Sequence, residues 1–297
     1  MCNIPSITTI ILTFNEEIHI RRCVENALGL ALEVIVVDSF STDKTCSIAE
    51  EMGARVVQHK FVNQAEQFNW AIDNLEITTE WIWRLDADEY IEPKYFDKIR
   101  RTLSDVPDDV NGINVNKKII FLGKPLLHGG WYPAQQIKFI RRGHGRSENR
   151  PMDEHLITTD GQEISIDVTQ TDDNQNNLTW WLDKHNRYAD REAIVMLKMQ
   201  YDISDEELEV KSNYWGNLVE HRRWLKKRYV HLPLYLRAFL HFFVRYFVYL
   251  GFLDGNIRWY VLQCFWYRFV VDSKIYELKK RFDFDDERIK EFLSQYK

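Results

Sequence analysis

The sequence lacks the signatures of several common nucleotide-binding and metal-binding proteins. No Gly-x-Gly-x-x-Gly sequence follows its first apolar run and no glycine-rich loop ends in lysine, which disfavours both a dinucleotide-binding Rossmann site and a P-loop. Its four cysteines form no Cys-x-x-Cys pair and no metal-ligand spacing, a pattern typical of a reduced, cytosolic protein in a chain of 297 residues. The N-terminal segment has no basic start and no long apolar run, so we expect no secretory signal.

Charge is distributed unevenly along the chain. The net charge is −6, yet residues 221–245 contain seven Lys or Arg and no Asp or Glu. Such segregation indicates one surface that meets an anionic partner. The apolar fraction of 45% is ordinary for a globular protein, so a sizeable core can form. With 297 residues the chain is long enough for one large domain and an appended region.

Short apolar runs alternate with helical patterns in the first third of the chain. Runs rich in β-branched residues are typical of strands buried on both faces, and apolar residues three or four apart indicate helices. Strands are predicted at residues 7–12, 34–37, 55–58 and 81–85, and helices at residues 17–30, from a cap at 41–43 to residue 52, and at 64–75. This order predicts an α/β fold with a mostly parallel sheet and flanking helices.

The pattern changes along the rest of the chain. Residues 112–122 and 135–142 predict two further strands, joined by a loop rich in glycine and proline of the kind that carries binding sites. From residue 178 onward the pattern is helical. We therefore expect an α/β domain at residues 1–200 and a helical region at residues 201–297.

Polar residues follow the predicted strands where they end. Thr13, Asn15 and Glu16 follow the first strand, and Asp38 follows the second. Ligands bind at the carboxyl ends of the strands in open parallel sheets, so we expect these side chains to contribute to one site.

Three carboxylates end the fourth strand within four residues, at Asp86, Asp88 and Glu89. They repel one another unless a cation or solvent intervenes. Hard oxygen ligands suit Mg²⁺ or Mn²⁺, and Mg²⁺ uses one or two carboxylates together with substrate phosphates. The alternative interpretation is a solvated acidic turn that caps the next helix. Because Asp38 ends a neighbouring strand, we favour the metal site.

Residues 5–92 resemble the nucleotide-binding half of the family 2 glycosyltransferases of the GT-A type. The matching segments are Ile10-Ile11-Leu12-Thr13-Phe14-Asn15-Glu16, Val36-Val37-Asp38-Ser39-Phe40-Ser41-Thr42-Asp43 and Leu85-Asp86-Ala87-Asp88-Glu89. Further similarity at residues 139–142, 153–156, 184–189 and 251–255 is to the lipopolysaccharide-core and polysaccharide β-glycosyltransferase branch. The resemblance implies a GT-A fold and inverting transfer from a nucleotide-sugar.

The resemblance also implies roles for single residues. Thr13 and Asp38 would hold the nucleobase, with uracil the expected base. Asp86 would contact the ribose or the sugar, and Asp88 would ligate the metal. The full set of implied donor-site residues is Thr13, Asn15, Glu16, Asp38, Asn69 and Asp86, with Asp88 and Asp86 as metal ligands.

An inverting transfer needs a general base close to the acceptor hydroxyl. Glu154 aligns with the glutamate of a His-Glu pair that close relatives carry, whereas this chain has Asp153 before it. We therefore predict Glu154 as the base, with Asp153 as the competing carboxylate. Without the resemblance, an Asp-Glu pair in a loop is most often solvated surface.

Two more groups of residues are candidates for binding the acceptor or its phosphates. Lys184 and His185 lie on one predicted helix and could meet a diphosphate or the acceptor, or else form a polar helix face that caps the sheet. Arg237 and Arg245 could attract the phosphate of a lipid-linked acceptor.

The segment at residues 232–253 is rich in Leu, Phe and Val, but two arginines at about 2.5–3.5 kcal/mol each offset most of the gain from crossing a membrane. Arg237, His241, Arg245 and Tyr249 are spaced by four and predict one polar stripe on an apolar helix, as in helices that lie in the membrane interface. The basic run before it fits anionic lipid headgroups. The alternatives are a buried helical subdomain or a dimer interface.

The sequence and the resemblance together predict a metal-assisted glycosyltransferase. It would move a sugar from a nucleotide-sugar, with UDP-sugar expected, to a lipid-linked, lipopolysaccharide or polysaccharide acceptor, using Mg²⁺ or Mn²⁺. Its predicted location is the inner face of the cytoplasmic membrane, as a peripheral protein on an anionic surface. The alternatives are a nucleotidyltransferase and a non-catalytic protein that binds sugar nucleotides or membranes. The apolar runs beside the basic stretch disfavour nucleic acid as a partner.

Overall fold

The structure is a computed structural model that describes residues 6–148, 155–203 and 218–296, with side chains from residue 224 onward in the last range. The chain divides into two compact units, Met1–Asn176 and Asn177–Lys297. The boundary expected near residue 200 falls at the end of the first helix of the second unit. Asp153 and Glu154, the two candidate bases, lie outside the described residues.

The first unit is built on a nine-stranded sheet, which confirms the predicted α/β class. The strands are β1 (Ile7–Thr13), β2 (Glu33–Asp38), β3 (Arg55–Gln58), β4 (Trp81–Asp86), β5 (Glu89–Ile91), β6 (Val110–Phe121), β7 (Lys124–Leu126), β8 (Ala134–Arg141), β9 (Gly145–Ser147), β10 (Leu156–Thr158) and β11 (Gln162–Asp173). Their order is β3-β2-β1-β4-β8-β6-β11-β5, with β7 beside β6. Strands β9 and β10 form a separate antiparallel pair.

The helices of the first unit flank this sheet. They are α1 (Ile20–Leu28), α2 (Thr45–Glu51), α3 (Gln64–Asn74) and α4 (Phe96–Asp105). Alternate residues of β1 explain the layering. Ile7 and Ile11 pack in a core that contains α1 and α4, whereas Ile10 packs in another core with Phe68 and Ala71 of α3. A strand buried on both faces needs apolar side chains in both directions, as the sequence predicted.

The first half of the sheet is parallel. Strand β1 pairs in parallel with β2 and with β4, and β2 pairs in parallel with β3. The register sets Thr13 opposite Asp38 and Leu12 opposite Asp86. The carboxyl ends of β1, β2 and β4 therefore meet at one edge, which brings the predicted site residues together. Beyond β4 the sheet becomes mixed, because β8 runs antiparallel to both β4 and β6.

The sequence predicts a cap for helix α2 within residues 41–43, and the helix begins at Thr45. Asp43 Oδ1 accepts hydrogen bonds from the backbone N–H of Thr45 at 2.9 Å and from its hydroxyl at 2.5 Å. Ser41 does not cap the helix, because its hydroxyl accepts the backbone N–H of Asn15 at 2.8 Å and donates to Asp38. The predicted end of the helix is confirmed, since Gly53 takes the left-handed conformation with φ +90°.

The second unit is helical over its described residues, as predicted. Its helices are α5 (Leu178–Gln200), α6 (Leu218–Val230), α7 (Leu236–Phe243), α8 (Ile257–Trp259), α9 (Tyr267–Arg281) and α10 (Asp286–Gln295), with π-helical turns at Val244–Val248 and Tyr260–Trp266. Asn177 caps α5 by accepting the N–H of Trp180 at 2.9 Å. The core of this unit is formed by α5, α9 and α10, through residues such as Leu197, Val271 and Ile289.

The polar stripe predicted on α7 should face outward, toward the headgroups, but at Arg237 the side chain faces the interior of the unit. Arg237 is 1% exposed, and its guanidinium pairs with Asp272 of α9. Phe239, Phe243 and Phe247 are exposed instead. A buried arginine needs a paired carboxylate, and Asp272 supplies it. In the described ranges we find no helix with both the length and the hydropathy required to cross a membrane.

Candidate active site

The loops after β1 and β2 are joined through Asp38. Its Oδ1 accepts the hydroxyl of Thr13 at 3.0 Å, and its Oδ2 accepts the backbone N–H of Ser41 at 2.8 Å. Burial by itself would raise the pKa of Asp38, but the hydrogen bonds from Ser41 and Thr13 outweigh it, so the pKa lies below its usual value. Asp38 is therefore held as a carboxylate at the strand end.

Asn15 and Glu16 tie the same two loops together. Asn15 has the left-handed conformation, with φ 55°, and its Oδ1 accepts the backbone N–H of Thr42 at 2.8 Å. The backbone N–H of Glu16 donates to the hydroxyl of Thr45 at 2.7 Å. The Glu16 carboxylate lies 2.5 Å from Nδ1 of His19. The side chain of Asn15 and the backbone of Glu16 thus connect the two loops, and the predicted contact of both residues with a donor stays a prediction.

Asp86, a predicted donor and metal ligand, lies at the wall of a polar cavity. It lies at the end of β4 and lines a polar cavity of about 170 Å³. Other residues lining the cavity are Gln64, Lys117, Gln136, Lys138 and His155. Its Oδ1 is buried and has no hydrogen-bond partner within the part of the chain that the structure describes. A buried carboxylate oxygen is costly to leave unpaired, so this atom is suited to a bound cation or hydroxyl group.

Asp88 is held in place on both its backbone and its side chain. Its carbonyl oxygen accepts Arg22 at 3.2 Å and the N–H of Asp173 at 3.0 Å. Its Oδ2 accepts the amide of Asn174 at 2.9 Å. The arginine in turn pairs with the Asp173 carboxylate at 2.5 Å. The end of β11 and helix α1 thus fix the second carboxylate of the pair.

Glu89, the third carboxylate of this segment, is a buried counterion. Its Oε2 lies 2.8 Å from Nζ of Lys138, and its Oε1 lies 3.3 Å from Nζ of Lys117. Burial would raise the pKa of Glu89, but attraction to Lys138 and Lys117 lowers the pKa to about 2. The predicted repulsion among three neighbouring carboxylates is therefore relieved by two lysines from β8 and β6.

The residues present fit a divalent cation that is shared with a substrate. Asp86 and Asp88 offer carboxylate oxygens, Asp86 lines a polar cavity, and its Oδ1 has no hydrogen-bond partner among the described residues. Across the described ranges no cluster of three His, Cys, Asp or Glu is arranged to hold a metal alone. Mg²⁺ and similar ions are commonly bound by one or two carboxylates plus substrate phosphates, so two ligands suffice here.

Asn69 is engaged with the backbone of β9. Its amide nitrogen donates to the carbonyl of Ser147 at 2.9 Å, and its Oδ1 accepts the N–H of the same residue at 2.8 Å. This double contact fixes β9 to α3. The predicted nucleotide contact of Asn69 is not formed by these atoms in this structure and stays a prediction.

The other predicted binding residues lie in the second unit. His185 stacks on Trp181 with ring centroids 3.6 Å apart, and burial lowers the pKa of His185 to about 4. The ammonium of Lys184 lies 4.7 Å from the ring centroid of Trp180. Arg245 donates through Nε to His241 at 3.3 Å, while Arg237 is paired with Asp272 as described above. Their predicted contacts with an acceptor are untested.

Sequence reasoning missed several residues of the site. His19 is fully buried, and its Nε2 accepts the N–H of Gln175 at 2.8 Å, which places its proton on Nδ1 next to Glu16. In the sequence, only the position of His19 shortly after the first predicted strand could have indicated this buried contact with Glu16. Phe14 and Phe40, beside Thr13 and Asp38, are 57% and 54% exposed. The positions of these two aromatic residues next to the candidate nucleobase site are visible in the sequence, whereas their exposure is known only from the structure.

The fold and the paired carboxylates at the strand ends define a GT-A-type α/β domain. Residues 8–151 match the family model described as Glycosyl transferase family 2. This part of the chain is therefore a family 2 glycosyltransferase domain, as the resemblance predicted.

Known relatives share this part of the chain. An uncharacterized glycosyltransferase of Rickettsia bellii is 40% identical over 93 residues, which are 31% of this chain and 31% of that protein. The putative glycosyltransferase EpsH of Bacillus subtilis is 31% identical over 110 residues, which are 35% of this chain and 32% of EpsH. The matched segment therefore spans about a third of the length of these relatives.

Among solved structures, glucosyl-3-phosphoglycerate synthase from Mycobacterium tuberculosis, in complex with Mn²⁺, UDP and glucosyl-3-phosphoglycerate, is similar to part of the chain. The sequence identity is 19%, the match covers 38% of this chain and 44% of that chain, and the TM-score is 0.32. A likeness of this size carries neither a substrate nor a metal over to this protein.

Proposed function

We propose that this protein is an inverting glycosyltransferase that moves a sugar from a nucleotide-sugar, with UDP-sugar as the expected donor. The observation that carries the proposal is Asp86, which lines a polar cavity and whose Oδ1 is buried without a hydrogen-bond partner among the described residues. Family membership supports the reaction class. The donor identity, the metal and the acceptor are our inferences from the residues that surround this cavity.

Different strand-end residues would bind different parts of the donor. Asp38, kept ionised by its hydrogen bonds, is an acceptor for a nucleobase N–H, and the Thr13 hydroxyl bonded to it restrains its orientation. Asp86 and Asp88 would hold Mg²⁺ or Mn²⁺. Such an ion would act as a Lewis acid that stabilises the leaving diphosphate. In this scheme Lys117 and Lys138 line the cavity close to the same phosphates.

The general base is assigned to Glu154, with Asp153 as the competing carboxylate. Both lie outside the described residues, but the next residue, His155, lines the cavity that contains Asp86. This supports a base from residues 153–154 that takes the proton of an acceptor hydroxyl.

The acceptor is proposed to be lipid-linked or part of a lipopolysaccharide or polysaccharide. The support comes from the second unit, where a run of large apolar side chains is exposed. They are Leu236, Phe239, Leu240, Phe243, Val244, Phe247, Val248, Leu250, Phe252, Leu253 and Ile257. Monomeric soluble proteins rarely expose so many contiguous apolar groups.

We infer that this apolar face rests in the outer part of a bilayer, with the protein peripheral on the inner face of the cytoplasmic membrane. Lys227 and Arg228 at the end of α6 are exposed and precede the apolar run, which fits anionic headgroups. The sequence predicted the same orientation for the Phe-rich faces, with the polar stripe toward the headgroups, but Arg237 is paired with Asp272 and does not join that stripe. The competing occupant of the face is a second copy of the chain.

A donor screen tests the reaction. Purified protein would be incubated with UDP-, GDP- and CDP-sugars, Mn²⁺ and a lipid-phosphate acceptor, and free nucleoside diphosphate would be measured. We expect UDP release with a UDP-sugar. In a parallel incubation with nucleoside triphosphates and a sugar 1-phosphate, release of pyrophosphate would identify a nucleotidyltransferase. Tight UDP binding with no turnover on any acceptor would support a non-catalytic binding protein.

A further inference from the structure

Glu89, which directly follows the Asp86-Ala87-Asp88 sequence, is the centre of a buried hydrogen-bond network. It is 1% exposed. Its Oε2 accepts Nζ of Lys138 at 2.8 Å and Nε2 of Gln170 at 2.6 Å, and its Oε1 lies 3.3 Å from Nζ of Lys117. These three partners lie on β8, β11 and β6. One carboxylate therefore links three neighbouring strands of the mixed half of the sheet.

The partners of Glu89 are themselves held in place. Oε1 of Gln170 accepts the indole N–H of Trp83 at 3.0 Å, which fixes the direction of its amide. The ammonium of Lys117 also lies 2.8 Å from Asp172. Buried charges are stable only when they are paired and hydrogen-bonded, and every charge in this network meets that condition. Glu89 thus has very little freedom to move.

Both oxygens of Glu89 are used within the protein. Oε1 also accepts Lys138 at 3.1 Å, and Oε2 also accepts the backbone N–H of Asp86 at 3.2 Å. A carboxylate engaged in this way is not a metal ligand. Its contact with the Asp86 amide is the point at which the network reaches the candidate metal site.

We propose that Glu89 is a positioning residue for the carboxylate pair. By accepting the N–H of Asp86 it sets the turn that follows β4, and so fixes the position of Asp86 at the wall of the polar cavity. The inference rests on the proposed function, because it assumes that Asp86 binds the metal–nucleotide complex. It assigns to Glu89 no contact with the substrate. The expected consequence of losing it is a misplaced ligand rather than a missing one.

The test separates the hydrogen bond from the charge. Glu89→Gln with Lys138→Met removes both charges but keeps a side-chain oxygen for the Asp86 amide. Glu89→Leu with Lys138→Met removes the oxygen as well, and Glu89→Met serves as a second variant without an acceptor if the leucine does not fold. The matched control is Glu92→Gln with Lys118→Met, which removes a more exposed pair 3.3 Å apart on the same segment.

UDP affinity would be measured by calorimetry with and without Mn²⁺, alongside thermal unfolding of each full-length variant. We expect the leucine and methionine variants to lose about 5- to 100-fold in Mn²⁺-dependent affinity, as for a buried donor left unpaired, with metal-free UDP binding equal to that of the glutamine variant, which carries the same Lys138→Met change. The glutamine variant and the control should keep the wild-type ratio of UDP affinity with Mn²⁺ to UDP affinity without Mn²⁺. Equal ratios in all variants would overturn the positioning role, as would an equal loss with glutamine and leucine. Absence of Mn²⁺-dependent UDP binding in the wild type would instead contradict the proposed function.

Discussion

Arg237 and Asp272 form a buried ion pair inside the helical unit. NH2 of Arg237 lies 2.5 Å from Oδ1 of Asp272, and the side chains are 2% and 1% exposed. NH1 of the arginine also donates to the carbonyl of Val230 at 2.9 Å, and Oδ2 of the aspartate accepts the N–H of Tyr235 at 2.7 Å. The pair thus fixes the start of α7 against α9 and the end of α6.

Breaking this pair should destabilise the protein strongly. Removing one partner of a buried ion pair leaves an uncompensated charge, so Arg237→Ala is expected to lower the free energy of unfolding by about 3–5 kcal/mol. Urea denaturation monitored by fluorescence would measure it. Arg258→Ala, at an exposed position on α8, is the matched control and should change stability by less than about 0.5 kcal/mol. A small effect at Arg237 would mean that the stripe is solvated after all.

His185 should make the stability of the protein depend on pH. Burial lowers its pKa to about 4 from a usual value near 6.5, so the unfolded chain binds the proton more readily. The free energy of unfolding should therefore be unaffected by this group above pH 6.5, and should fall by about 3 kcal/mol as the pH drops to 4.

The check on this pH dependence is a variant that cannot titrate. Urea unfolding at several pH values would compare the wild type with His185→Phe, which keeps an aromatic ring against Trp181. We expect the variant to lose most of the slope between pH 6.5 and 4. His231→Phe, at an exposed position, should keep the slope. An unchanged slope in His185→Phe would place the acid sensitivity elsewhere.

The metal site should be sensitive to Asp88. Asp88→Ala removes a hard oxygen ligand, so it should abolish transfer and weaken UDP binding mainly when Mn²⁺ is present. Turnover and UDP affinity with Mn²⁺ or with EDTA would be compared. Asp97→Ala, at an exposed position on α4, is the control. Near-normal turnover of the Asp88 variant in EDTA would show that no metal is used.

The base assignment separates two neighbouring carboxylates. Glu154→Gln keeps the shape of the side chain and removes its basicity, so we expect kcat to fall by about 10²–10⁴-fold with donor affinity kept. Steady-state kinetics with saturating donor would measure this. Asp153→Asn is the matched variant and should cost much less. The reverse order of effects would assign the base to Asp153.

The exposed apolar face should bind lipid. Replacing Phe243, Phe247 and Leu250 together with Asn should abolish binding to anionic liposomes, because it removes the side chains that would enter the acyl region. Sedimentation with vesicles would measure it, and Leu32→Asn with Val62→Asn, two exposed apolar positions of the first unit, is the control. Charge reversal at Lys227 and Arg228 should only weaken binding, and added salt should mimic it.

The competing explanation for the apolar face has a different outcome. A dimer buried through this face would elute at twice the monomer mass without detergent and would ignore vesicles at low salt. The asparagine variant would then become a monomer. Either result would identify the occupant of the surface, and only vesicle binding supports a membrane acceptor.

Much of the first unit could be predicted from local sequence. The pattern at residues 55–58 predicts the strand that forms β3, and the order of strands and helices predicts that the strand ends at Thr13, Asp38 and Asp86 lie together, as they do. These features can be inferred from short apolar runs and from the rule that parallel strands end at one edge of the sheet. Both inferences use only residues that are close together in the sequence.

Only the tertiary structure decided which charges meet. The sequence grouped Glu89 with Asp86 and Asp88, but its partners Lys117 and Lys138 are 28 and 49 residues away and reach it through the pairing of β6, β8 and β11. Likewise a spacing of four predicts a stripe on α7 but not the direction it faces. Burial of Arg237 became favourable because Asp272, 35 residues later, lies opposite it on α9. Periodicity acts within one element, whereas pairing of buried charges depends on which elements pack together.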